Sequence, residues 1–203
     1  MREPTRPIPT LPPHPAVLPF PTPGARVRHA YDELDKAIHG TPAELQTLGD
    51  IRLLPRPWDP ATCLDPELRA ELWKWLDDVV TWLNHEYHWD VTGMIPACWP
   101  KHPHLIHEIA VLADLRRSAG HALTGDALEE WHRYALPAFT DRMRQRLRAH
   151  CDDGHQPWPA HSRHTRHTAT DSAAERRHVY RADIATLRAT PPDPEEAWPR
   201  LTL

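Results

Sequence analysis

The 203-residue chain carries a formal net charge of −4 and a mean hydropathy of −0.65. That leaves room for one domain of ordinary size with tails, and it excludes the global basic field of a typical nucleic-acid-binding domain. Three cysteines without a Cys-x-x-Cys pair exclude a disulfide framework, and with only 7 glycines the chain has no Gly-rich phosphate loop.

Residues 1–24 (MREPTRPIPTLPPHPAVLPFPTPG) form a proline-rich arm. Proline lacks an amide proton and fixes φ, so a disordered or polyproline II segment is expected. Its P-x-x-P spacings also suit an aromatic-lined groove on a partner. A short helix is expected over Ala25–His39, ended by Gly40. Thr41, Pro42 and Glu44 then form a capping-box pattern for a second helix.

The clearest helix runs from Asp65 to about His88. Asp65 caps it, Pro66 occupies the first position, and Leu68, Leu72, Trp75, Leu76, Val79, Trp82 and Leu83 follow helical spacing. After a loop over 89–102, a further helix is expected from Pro103 to Ala119. Thr124 can cap another, with Leu128, Trp131 and Tyr134 apolar, and Pro137 must kink or break it. The pattern resumes at Phe139, Met143 and Leu147. The predicted fold is therefore all-α: a three- or four-helix bundle over 25–150, with a mostly flexible polar tail over 151–203. That tail carries one possible helix over 172–190.

Histidines crowd the segment from Trp82 to Glu108. His85, His88, Cys98, His102 and His104 offer nitrogen and sulfur ligands of the kind zinc takes four at a time. Surface or hydrogen-bonded histidines are the plainer reading, because only one cysteine lies in the segment. Neither a cofactor nor a catalytic residue is expected on this basis, with zinc kept as the alternative. His-Glu-Tyr-His at 85–88 is one residue short of the HExxH of a zincin, and no GxSxG appears.

Arg142, Arg144, Arg146, Arg148, Arg163 and Arg166 form the candidate nucleic-acid-binding set, through contacts to phosphate. A spacing of two spreads the first four over more than one helix face. Lysine occurs only at Lys36, Lys74 and Lys101 and asparagine only at Asn84, a bias of GC-rich coding that also raises arginine content. Prolines interrupt any apolar leader, and no run of about 18 apolar residues exists. A cytoplasmic protein with reduced thiols and no membrane partner is expected.

The succession CWPKHPHLIHEIAVLADLRRSAG, then GDALEEWHRYALPAF, resembles an uncharacterised family of small actinobacterial proteins. In that family Cys-Trp or Trp-Trp beside His-Pro opens a helix, and a Trp-His pair follows in the next. The matching residues are Cys98, Trp99, His102, Pro103, Trp131 and His132, and the resemblance covers about a third of the chain. It implies association with plasmids and integrating elements and carries over no catalytic residue. Absent any enzymatic signature, a non-enzymatic interaction or adaptor protein is expected, its partner most simply another protein. A DNA- or RNA-binding accessory protein is the alternative and a metal-dependent enzyme the third reading. Trp99 is expected to cover the junction of the helices beginning at Asp65, Pro103 and Thr124.

Overall fold

The computed structural model describes residues 15–88 and 90–189. Every regular element among them is helical, as the periodicity predicts. Helices α1 (Ala25–His39), α2 (Pro42–Thr47), α3 (Pro66–Glu86) and α4 (Pro103–His121) come first. They are followed by α5 (Asp126–Glu130) and α6 (Leu136–Leu147), then α7 (His161–Thr168) and α8 (Thr170–Ala189). No helix among the described residues is long and apolar enough to cross a membrane.

The expected caps are in place. Asp65 accepts from the Leu68 amide at 2.7 Å. Thr41 and Glu44 close their box reciprocally, at 2.8 and 3.4 Å, so orphan amides at both helix starts are satisfied. Thr124 is the exception. Its hydroxyl pairs with Asp126, and α5 begins without a side-chain cap.

One core joins α1, α3, α4 and the α5–α6 segment. Leu72, Trp75, Leu76, Val79 and Leu83 of α3 face Val27 of α1, Leu105 and Ile109 of α4, and Phe139 and Met143 of α6. Pro137 neither breaks nor sharply ends the last helix. The chain widens into a π-helical turn over Trp131–Ala135 and continues directly into α6. A wide turn loosens the hydrogen-bond ladder just where proline would otherwise leave a carbonyl unserved.

Part of the proline-rich segment is ordered. Residues 1–14 lie outside the described residues, whereas the part nearest α1 is laid against α3. The Trp75 indole donates to the Pro21 carbonyl at 2.9 Å, and the Trp82 indole to that of Leu18 at 3.0 Å. Phe20 sits edge-on to both rings, 6.4 and 5.1 Å between centroids. Buried indoles need an acceptor, and here a proline-rich backbone with free carbonyls supplies it.

The boundary expected at 150 also moves. A first compact unit ends at His155 and a second begins at Gln156. The second holds α7 and α8, so the tail is helical over more of its length than 172–190. The expectation for residues 190–203, like that for Trp89, lies outside the described residues.

Candidate metal centre and adjoining cleft

The loop between α3 and α4 is positioned by the chain's single asparagine. Asn84 Nδ2 donates to the Ile95 carbonyl at 2.9 Å, and its Oδ1 accepts the Ile95 amide at 2.8 Å. Ile95 is thereby held in the core. A tight turn follows, in which the Trp99 amide donates to the Pro96 carbonyl at 2.9 Å, and it leaves Cys98 half-buried. Trp99 is buried against Trp73 of α3, 5.9 Å between ring centroids. The α3–α4–α5 junction expected under Trp99 is covered instead by Trp131. That indole packs 6.5 Å from Trp82 and donates to the Leu112 carbonyl at 3.2 Å. His102 then stands at the N-cap of α4, with Pro103 in the first position as the sequence indicates.

At the far end of α6 the chain leaves the helix abruptly. Arg148 has φ +50° and ψ −133°, a conformation that side-chain-bearing residues rarely adopt. A short turn follows, and Gly154 at φ +126° completes it. Glycine has no Cβ to clash there. The result returns Cys151 and His155 toward the start of α4.

Four side chains meet as a consequence. One ligand atom each from Cys98, His102, Cys151 and His155 lies within 4.8 Å of all the others. His102 Nε2 is 3.3 Å from Cys98 Sγ and 3.5 Å from Cys151 Sγ. The His102 and His155 rings are 5.0 Å apart. Burial, reinforced by Cys151, pushes the Cys98 thiol above its usual value. Burial also pulls His102 below its usual value, with His155 and His104 adding to the effect. The third cysteine, Cys63, is buried alone in the core.

The structure thus takes Cys98 and His102 from the sequence-derived ligand set and drops the rest. His85, largely in solvent, lies 2.7 Å from the Glu86 carboxylate. His88 lies against the Gly93 turn and Arg144; a Cβ on Gly93 would come within 3.1 Å of that guanidinium and 3.3 Å of His88 Nδ1. His104 neighbours His102, 5.7 Å between rings, but belongs to the first turn of α4 and is outside the group of four. Cys151 and His155 fall in a stretch without periodicity, which gives the sequence no register for placing them. One signal was available: Cys98-x-x-x-His102 and Cys151-x-x-x-His155 have the same spacing.

Three of the six candidate arginines are engaged within the protein. Arg142 donates to Glu108 at 2.7 Å, and Arg146 pairs with the other oxygen of the same carboxylate. Arg144 holds the Thr92 carbonyl at 3.2 Å and Asp90 at 3.5 Å. Arg163 and Arg166 belong to α7, in the second unit. His132 meets the Tyr87 hydroxyl at 3.0 Å.

Beside the four converging side chains lies a cleft of about 920 Å³. Val91, Met94, Met143 and Leu147 give it an apolar lining, Lys101 and Arg148 bring positive charge, and Asp152 adds a carboxylate. Cys98, Cys151 and His155 form part of the same wall. Among the described residues neither Lys101 nor Arg148 forms an ion pair, in contrast to Arg142, Arg144 and Arg146. No family model, curated protein or solved structure matches this chain.

Proposed function

We propose that the protein is a non-enzymatic interaction protein that receives an acidic, apolar segment of a partner protein in the cleft beside Cys98. The observation that carries this is the cleft's composition: exposed Val91 and Met94 beside Lys101 and Arg148, which form no ion pair among the described residues and outnumber the one unpaired carboxylate of the wall, Asp152. Apolar contact supplies most of the attraction in such grooves, and unpaired charge selects the sign of the partner. The arginine run is the weaker basis for a nucleic-acid reading, since Glu108 and Asp90 already neutralise three of its members. The link to plasmids and integrating elements rests on the resemblance of the Cys-Trp…His-Pro and Trp-His segments. A cytoplasmic setting fits three free thiols.

Selection from a displayed random peptide library tests the reading. Enriched peptides should combine Asp or Glu with large apolar residues, and Lys101→Glu with Arg148→Glu should abolish their binding. Failure to enrich any acidic sequence, or salt-dependent DNA binding that disappears when the chain is cut after Ala149, would overturn it.

A further inference from the structure

We infer that Cys98, His102, Cys151 and His155 form a tetrahedral Cys2His2 site for one zinc ion, a tie that joins the start of α4 to the turn after α6. This goes against the expectation that no cofactor is bound, and it stands whether or not the cleft receives a partner.

Donor chemistry comes first. Two thiolates and two imidazoles without a carboxylate disfavour magnesium and calcium, which take oxygen ligands, and suit zinc. Spacing is the second argument. A tetrahedron with Zn–S of about 2.3 Å and Zn–N of about 2.0–2.1 Å has S···N edges of about 3.5 Å and an S···S edge of about 3.8 Å. The two S···N separations around His102 Nε2, 3.3 and 3.5 Å, already match such edges. The widest pair in the group is no more than 4.8 Å apart, so closure around an ion needs a contraction of about 1.5 Å at most.

The sequence pattern is independent of both. With 16 histidines in 203 residues, a given cysteine has one four positions on about once in thirteen. Two of the three cysteines do, and those two are the pair that meet in space.

The backbone supplies a fourth argument. Beyond Arg148 the turn begins with one ordinary hydrogen bond, 3.0 Å from His150 to Leu147, and is then held internally only by longer ones, 3.5 Å from Asp152 to Ala149 and 3.3 Å from Gly154 to Cys151. Asp152, Asp153, Gly154 and His155 are exposed, so little apolar burial fixes them. Among the described residues, the side-chain hydrogen bond that this turn makes to the bundle is Cys151 Sγ to His102. A left-handed arginine at the helix end is an unfavourable conformation, retained only where something over-determines it. A metal bridging both cysteines provides that.

Four protein ligands leave no open position for water or substrate, which marks a structural rather than a catalytic zinc. The ion would rigidify the wall that Cys98, Cys151 and His155 give the cleft. The bundle core needs no metal, because α3, α4 and α6 bury their apolar faces against one another.

Elemental analysis of the full chain, purified without a His tag, tests the inference directly. One zinc per chain is expected. After chelation, added cobalt should give the intense visible bands of tetrahedral Co(II) and a thiolate-to-cobalt charge-transfer band. Cys98→Ser and Cys151→Ser should each weaken cobalt binding by more than the about 10–100-fold that outer partners of a metal site carry. His85→Ala and His104→Gln should bind like the parent. A metal-free parent with only the pale octahedral cobalt spectrum would overturn the site even if a cysteine variant fails to fold. So would unchanged zinc content in both serine variants. Stoichiometric iron or copper would overturn the assignment to zinc. None of these readouts involves the partner peptide, so failure of the cleft reading leaves them intact.

Discussion

The strap ahead of α1 and the turn after α6 are both non-helical segments laid on the same bundle, and they are held by different means. The strap is fixed by burial: Phe20 enters between Trp75 and Trp82, and two indoles take its carbonyls. The turn buries little and converges through sulfur and imidazole. Apolar anchoring draws on a core that already exists, so it adds a neighbour at small cost in specificity. Ligand anchoring needs four atoms at one point, and it is sensitive to chelation and oxidation in ways the strap is not.

Stability measurements with and without a chelator sharpen that comparison. Trp99→Ala, which empties a buried site adjoining Cys98, should cost about 3–5 kcal/mol by denaturant melting, in the range of large-to-small core changes. A melt equal to the parent's would place Trp99 outside the core. Phe20→Ala should cost about 2 kcal/mol, less than a fully buried phenylalanine because Phe20 is only partly covered. That loss should be the same in chelator, and dependence on metal would erase the distinction between strap and turn.

Smaller effects separate single interactions. Gly154→Ala places a side chain at φ +126° and should cost about 1 kcal/mol, seen as roughly fivefold weaker cobalt binding with an unchanged bundle melt. The smallest effect concerns His88, which burial and Arg144 hold below its ordinary value of 6.5. The folded state then binds fewer protons than the unfolded one. Stability should therefore decline as pH falls below the ordinary histidine value, levelling off once His88 protonates in the folded state. His88→Gln should flatten that slope, and an unchanged pH profile would show that His88 is not its source.

The helices were legible because each rests on local signals: Asp65 and Pro66, the Thr41–Glu44 box, and a 3.6-residue stripe that only one face of α3 can bury. The strap was not, since proline spacing describes backbone stiffness and says nothing of which carbonyls a distant indole needs. The ligand set was half legible. Cys98 and His102 stand out beside His-Pro, but their partners depend on where α6 stops relative to the start of α4. That is a tertiary fact set by packing, with no periodic trace at Cys151 or His155. His85 and His88 misled for the converse reason: closeness in sequence near the end of α3 does not put them on the side that faces Cys98.

The wide turn over Trp131–Ala135 bears on which changes the chain can absorb. A regular helix turns by about 100° per residue, so Trp131 and Phe139 would stand about 80° out of line. One extra residue in a π-helical turn brings them back to a common stripe with Met143, and all three are buried. Surplus residue and Pro137 then act as a matched pair of faults. Deleting exposed Tyr134 alone would restore a tight ladder that Pro137 cannot complete, and Pro137→Ala alone would leave the surplus residue without its excuse. Made together, the two changes spell an ordinary helix with the same buried face, so the double variant should be more stable than the Tyr134 deletion.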